Sequence, residues 1–304
     1  MKKKLFKSKG IESGGELSAA LMLSPAVILL LLTSVYPFLW MFRYICSDYN
    51  GFTAYFTGAE NFIRMIKDTL FWHSVVHTFE YAFLKLLFTM PLALLLAVLL
   101  SQKIRGSSFF RAIYFMPTII SSAVYSLIFG FIYAVYNGSL NAILSALGVI
   151  GSPVDWLGDP TRVMLSIAMV AVWGGLGNYM ILLMSGMSSI SADVYESSKI
   201  DGANGVQTFF RITLPMLCPV LKVVLMLALT TAFKDYQSIM VLTNGGPNNR
   251  SQVMFSYIYQ LVFGTNSVVP QVGYGTMLSV MAALIIGIVT AIYLFISRKM
   301  DDVV

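Results

Sequence analysis

Residues Glu196 to Pro215 read ESSKIDGANGVQTFFRITLP. This polar segment lies between two long apolar stretches, and its local signals are those of two short helices joined by a tight turn. Asp193 can cap the first helix, with Glu196 three residues on at the spacing of a capping box. The helix is expected to stop at Asp201-Gly202, because glycine admits the left-handed backbone on which helices commonly end. A second short helix can start near Asn204 and run through Phe209, Phe210 and Ile212 towards Pro215. The product is a compact helical elbow. Its apolar residues Val194, Tyr195, Ala203, Val206 and Phe209 are expected to be exposed, and they suit a groove on a partner protein. The plainer reading of the same pattern is an amphipathic loop resting on lipid headgroups.

Outward from the elbow, the chain reads as a membrane protein. Of its 304 residues 57% are hydrophobic and 11% charged, and its mean hydropathy is +0.77. A soluble domain carries about 25% charged residues, and so few charges cannot cover a soluble surface. Six apolar stretches are long enough to cross a hydrocarbon core of roughly 30 Å at about 1.5 Å per residue. They lie near Ala19–Phe42, Phe79–Leu100, Phe110–Val135, Val163–Met187, Met216–Leu242 and Tyr274–Ser297. An all-α, polytopic fold with six transmembrane helices is therefore expected. It divides into a basic tail (1–18), a first helix (19–42), an outer loop with the start of the second helix (43–78), a transmembrane domain (79–297) and a short tail (298–304). The first apolar run is about twice as long as a signal-peptide core of roughly 7–15 residues, and no small-x-small site follows promptly, so it reads as a retained helix. Pro91, Pro117 and Pro219 fall within or at the ends of spans, where neighbouring helices tolerate kinks.

Orientation follows from the cations. With the N-terminus inside, twelve of the 20 Lys and Arg residues fall on cytoplasmic segments and five on outer ones, leaving Lys85, Lys222 and Lys234 within spans. That bias places both termini in the cytoplasm and the elbow on the cytoplasmic face. The formal charge of +6 then reflects topology and anionic lipid, with no clustering that suggests nucleic acid. Cys46 and Cys218 fall at opposite faces, so no disulfide is expected.

The elbow resembles the EAA loop of permease subunits of binding-protein-dependent ABC importers, whose pattern runs E-A-A, two residues, D-G-A, five residues, F-x-x-I-x-L-P. Glu196, Asp201, Gly202, Ala203, Phe209, Ile212, Leu214 and Pro215 fall on it in register, and Ser197 and Ser198 replace the two usual alanines, small for small. Residues 79–296 are similar to the type I transmembrane domain of such importers. Two further runs, Val172–Gly175 (VWGG) and Asp235–Pro247 (DYQSIMVLTNGGP), resemble the maltose and oligosaccharide branch. The resemblance implies that the elbow couples the chain to ATP. It also implies a second permease of similar fold, two cytoplasmic ATPase subunits, an extracytoplasmic solute-binding protein and residence in a bacterial plasma membrane.

The chain itself has no G-x-x-x-x-G-K-[ST] and no Gly-Lys pair, so ATP hydrolysis is expected on other subunits; neither enzyme activity nor a cofactor is expected here. His73, His77 and Glu80 share a helical face in the manner of a metal triad. At the outer mouth of a helix, without further ligands, they read as interfacial polar residues and no metal site is expected.

Ionisable residues in spans mark function more often than structure. Thr231, Asp235 and Ser238 recur at i, i+4 and i+7 on the fifth helix, and Gly174, Asn178 and Ser185 form a small-polar stripe on the fourth. Two such stripes facing each other would make a polar cavity, with Tyr179 and Tyr236 beside it for stacking on sugar rings. The expected substrate residues are Gly174, Gly175, Asn178, Tyr179, Thr231, Asp235 and Tyr236, and the resemblance places the site on the same two helices. The structural alternative is that the glycines serve packing, Asn178 bonds across helices, and Lys234 neutralises Asp235 or snorkels outward. Glu80 and Lys85 are expected to reach the outer interface and Lys222 the inner one.

Together these readings point to a permease subunit that moves a sugar or oligosaccharide by alternating access. A polyol or glycerol phosphate is the alternative cargo. An ion-coupled secondary transporter would need coupling carboxylates at midplane and no docking loop, and a membrane enzyme would need a convergent set of acid, base or metal ligands.

Overall fold

A computed structural model describes residues 12–102, 105–264 and 269–301. Helix α1 (Glu12–Leu30) passes through a π-helical turn, Leu31–Val35, into α2 (Tyr36–Met41) and a 3-10 turn at Phe42–Tyr44. The stretch Ser18–Tyr44 is 27 residues long and none of its apolar window is buried. A helix apolar all round with no protein cover suits lipid or a partner subunit.

The next segment is more ordered than the expected loop. Strands β1 (Ser47–Tyr49) and β2 (Ala54–Phe56) pair antiparallel, with Asp48 opposite Tyr55. Asn50 closes the turn by accepting from the backbone N–H groups of Phe52 and Thr53. This hairpin is the one departure from an all-α fold among the described residues. Helix α3 (Glu60–Lys67) follows, then α4 (Thr69–Ser101), which starts ten residues before the expected Phe79. The early start has a local cause: Asp68 caps the helix by accepting from Phe71 N at 3.0 Å.

The third expected span, Phe110–Val135, is not one rod. Helices α5 (Ser107–Ile119) and α6 (Ser122–Ile132) meet at 99°. Ile120 and Ser121 are extended between them, and Ser121 caps α6 through Val124 N. The serine offers the backbone a side-chain partner outside the helix, which is why polar residues in an apolar run can end it. A short helix, α7 (Ser139–Ala146), precedes α8 (Val163–Ser188). The apolar window of α8 is 61% buried, against 33% for α4, and this makes α8 the central post of the bundle.

Beyond α8 come α9 (Ala192–Ile200), α10 (Gly205–Thr208), a π-helical turn at Phe209–Thr213 and α11 (Leu214–Lys234). The last three form a continuous helix over Gly205–Lys234, so the second arm of the elbow is the foot of the fifth span. That span also ends early. Asp235 is extended, with ψ 116°, and a separate α12 (Gln237–Leu242) carries the chain on to α13 (Met254–Phe263) and α14 (Val272–Asp301). Counting the bent pair as one gives six candidate spans.

Packing follows the apolar faces. Ala93 and Ala97 of α4 let it lie close to Met180 and Leu183 of α8, with Leu217 and Val224 of α11 completing that layer. A second layer joins α4, α11, α13 and α14 around Phe71, Phe233, Met254 and Leu278. Cys46 and Cys218 are both free.

Candidate functional site

The two interrupted spans meet. The break after α5 and the break after α11 both line a cavity of about 320 Å³, together with the middle of α8. Thr118, Ile120, Ser122 and Tyr125 come from the first break, Gly174, Gly175 and Tyr179 from α8, and Thr231, Lys234 and Asp235 from the second. Helix breaks expose backbone groups that lipid cannot satisfy, so in a membrane they belong where they line a polar space. Ser122 Oγ donates to Gln237 Oε1 at 2.5 Å and ties one break to the other. Thr118 Oγ1 donates to the Gly174 carbonyl at 3.2 Å and ties the first break to α8.

Asp235 is the centre of the wall. Its Oδ2 accepts from Tyr81 Oη at 2.5 Å and from Lys85 Nζ at 3.0 Å, both on α4. The ammonium also lies 5.5 Å from the Tyr81 ring centre. Lys85 therefore does not reach the interface: it is 6% exposed and belongs to the cavity. Nor does Lys234 neutralise Asp235. It is exposed, while Lys85, far outside any local pattern, takes the carboxylate. Sequence periodicity could flag Lys85 as an intramembrane charge, but not its pairing, because the partner is 150 residues away.

The expected stripes are only partly assembled. Gly174, Gly175, Tyr179, Thr231 and Asp235 line the cavity. Asn178 and Ser185 are exposed and lie outside its lining. Tyr236 turns away to stack on Tyr259 with ring centres 5.4 Å apart. Ser238 is fully buried, and its position i+7 from Thr231 loses its meaning because the helix breaks between them. The glycines of α8 have a packing role: a Cβ on Gly174 would come within 2.5 Å of the Tyr125 ring, and one on Gly177 would collide with the Tyr114 carbonyl of α5.

At the other end of α11 the elbow takes the expected form with different details. Ser191, not Asp193, caps α9: its Oγ accepts from Asp193 N at 3.3 Å, so Asp193 occupies the first turn. Asp201 and Gly202 close the helix, with Gly202 at φ +76°. Asn204 and Gln207 bond each other's backbone N–H groups at 2.9 Å, a capping box that starts α10. Ser198 is 4% exposed and donates to the Tyr195 carbonyl, so this position needs a small residue. Glu196, Ser197 and Asp201 are exposed; Ala203, Phe209, Ile212, Leu214 and Pro215 are half-buried. The apolar residues most open to a partner are Ile200, Val206 and Phe210. Of the expected apolar set only Val206 is exposed, while Val194, Tyr195, Ala203 and Phe209 are half-buried. Tyr195, Phe209 and Thr213 line a groove of about 740 Å³ against Gln102 of the α4 end and Met187 of the α8 end.

The opposite face is knitted by polar contacts. Arg250 makes a two-pronged ion pair with Glu80 at 2.6 and 2.8 Å. His77 Nδ1 donates to the Gln252 carbonyl at 3.2 Å, and Met254 N donates to Thr78 Oγ1 at 3.0 Å. His77 and Glu80 thus hold the segment before α13. Asp68 accepts from Tyr257 and Tyr274 at 2.9 and 2.6 Å. Burial, followed by that hydrogen bond, pushes the Tyr257 phenol well above its ordinary range, so it remains a donor.

Six candidate spans, a polar cavity at paired helix breaks and a polar elbow at the foot of the fifth span define a multi-span transport permease. The chain belongs to the family of binding-protein-dependent transport system inner membrane components, whose model matches residues 82–302. It is 31% identical over 280 residues to the multiple sugar-binding transport system permease protein MsmF of Streptococcus mutans, covering 90% of this chain and 94% of that one. It is 33% identical over 255 residues to the trehalose/maltose transport system permease protein MalF of Thermococcus litoralis, covering 81% of each. In structure it is similar to a chain of a bacterial ABC transporter that imports the acidic polysaccharide alginate, with a TM-score of 0.80 at 22% identity, covering 94% of this chain and 96% of that one. At that identity the likeness speaks to the fold.

Proposed function

We propose that this chain is one transmembrane subunit of an ATP-driven importer for a sugar or oligosaccharide. The observation that carries the proposal is the pairing of a polar cavity, built at two helix breaks, with an elbow whose second arm is continuous with the helix that ends at that cavity. A push on α10 travels along Gly205–Lys234, a continuous helix, and arrives at Asp235. ATP-dependent closure of two partner ATPases is the source of that push, and alternating access of the cavity is the result. Relatives named for multiple sugars, trehalose and maltose, and lactose support a carbohydrate cargo.

The remaining parts follow from that role. Glu196 to Pro215 dock on an ATPase, with Ile200, Val206 and Phe210 supplying the apolar contact. A second permease of similar fold completes the pathway, and a solute-binding protein delivers cargo from outside. Both termini lie in the cytoplasm of a bacterial plasma membrane, as the cation bias supports. Gly174, Gly175, Tyr179, Thr231 and Asp235 contact cargo. Asn178, being exposed, is assigned to a subunit or lipid contact.

The test is purification from native membranes followed by reconstitution. The chain is expected to bring down an ATPase subunit and a second permease, and to support carbohydrate uptake only with ATP. Uptake driven by an ion gradient without ATP would assign it to secondary transport instead.

A further inference from the structure

The Lys85–Asp235 pair is more than a bond between helices. Lys85 is 6% exposed and carries three ammonium protons, of which one is accepted by Asp235. Asp235 uses Oδ2 for both Tyr81 and Lys85, and Ser238 is the one further hydroxyl set against the carboxylate. Buried donors and acceptors left open are costly, and a buried ion pair repays its desolvation only when the remaining valences are filled. An apolar contact would join α4 to the helix break more cheaply. Here the two remaining Lys85 protons and the second oxygen of Asp235 belong to residues that line the cavity.

We propose that the Lys85–Asp235 pair is the recognition point of the cavity and takes two neighbouring hydroxyl groups of an uncharged carbohydrate. One hydroxyl donates to Asp235 Oδ1, and its neighbour accepts from Lys85 Nζ. Each hydroxyl can both donate and accept, so adjacent hydroxyls match a donor and an acceptor side by side. The pair is neutral as a whole, so a carboxylate on the cargo gains from Lys85 but is repelled by Asp235 beside it. Lys234, the other cation of the lining, is exposed in the last turn of α11, where water and the helix carbonyls offset its charge. Lys85 thereby becomes a specificity-determining residue. This inference rests on the carbohydrate reading above.

The experiment measures direct binding of radiolabelled trisaccharides to the assembled permease–ATPase complex in nanodiscs, without the binding protein. The probes are maltotriose, xylotriose and trigalacturonate. Wild type is expected to hold a neutral trisaccharide and to disregard the acid. Lys85→Gln or Asp235→Asn alone leaves a buried charge unpaired and should lower the yield of assembled complex. The double variant K85Q/D235N removes both charges, so assembly should recover while Kd for the neutral probe weakens by about tenfold to a hundredfold. A purely structural pair predicts recovery of both assembly and binding in the double variant, and that result overturns the proposal. Preference for trigalacturonate overturns it in favour of acid recognition by Lys234, and binding of none of the neutral probes overturns it as well. None of these results touches co-purification with the ATPase or the need for ATP, on which the broader functional reading stands.

Discussion

Gly202 sits at φ +76° with no atom within 4 Å of where a side chain would begin, so substitution there meets backbone strain and no clash. Gly202→Val is expected to cost about 1–2 kcal/mol locally and to misdirect the elbow. Membrane insertion should be retained, while co-purification with the ATPase and uptake fall; wild-type levels of both would remove the elbow from coupling. Gly177 is the opposite case, an ordinary helical residue whose Cβ would collide with the α5 backbone. Gly177→Ala should lower stability by about 1–3 kcal/mol through overpacking. Gly175→Ala should leave the melting point unchanged, since its nearest contact is Tyr179 at 3.5 Å. Thermal unfolding of both variants in detergent decides this, and equal melting points would mean that α5 and α8 can separate freely.

Helix α9 is short enough for its cap to matter. Removing the Ser191 hydroxyl should cost about 1 kcal/mol of local stability, whereas Asp193→Ala should cost less because its side chain is not the cap. Hydrogen exchange over residues 192–200 would rank the two, and a larger effect at Asp193 would return the cap to the place suggested by sequence spacing. On the other face, Glu80 and Arg250 are each about a third exposed, so Glu80→Gln should cost about 1 kcal/mol or less globally. Its effect belongs to the segment the pair holds: exchange at residues 245–253 should quicken, and the reversed pair E80R/R250E should slow it again.

At the level of the whole molecule, the orientation can be read with single cysteines placed in a background lacking Cys46 and Cys218. Asn204→Cys is expected to react with an impermeant thiol reagent only from the cytoplasmic side, and Asn248→Cys only from outside. Labelling of the Asn204 position in intact cells would invert the topology and detach the elbow from any cytoplasmic ATPase. The first span bears on the same scale, for its apolar residues from Leu21 to Trp40 are exposed to whatever surrounds the chain.

Sequence alone determined what depends on composition and short-range pattern. Six apolar runs, the cation bias and the elbow between Glu196 and Pro215 are local signals, and the left-handed turn at Gly202 and the start near Asn204 follow from residues within one helical turn. Local pattern misplaced what competing local partners decide, as at Ser191, Asp68 and Ser121, where a polar side chain a few residues away took the cap. Only the tertiary structure decided the cavity. Periodicity carries a helix straight through Asp235, because nothing adjacent stops it. The break falls where Tyr81 and Lys85, 154 and 150 residues away, hold the Asp235 carboxylate. The same long-range choice buried Lys85, left Asn178 and Lys234 exposed, and turned Tyr236 towards Tyr259. A charge in an apolar span must find its counter-charge somewhere in the fold, and which one it finds is a property of packing that spacing along the chain does not contain.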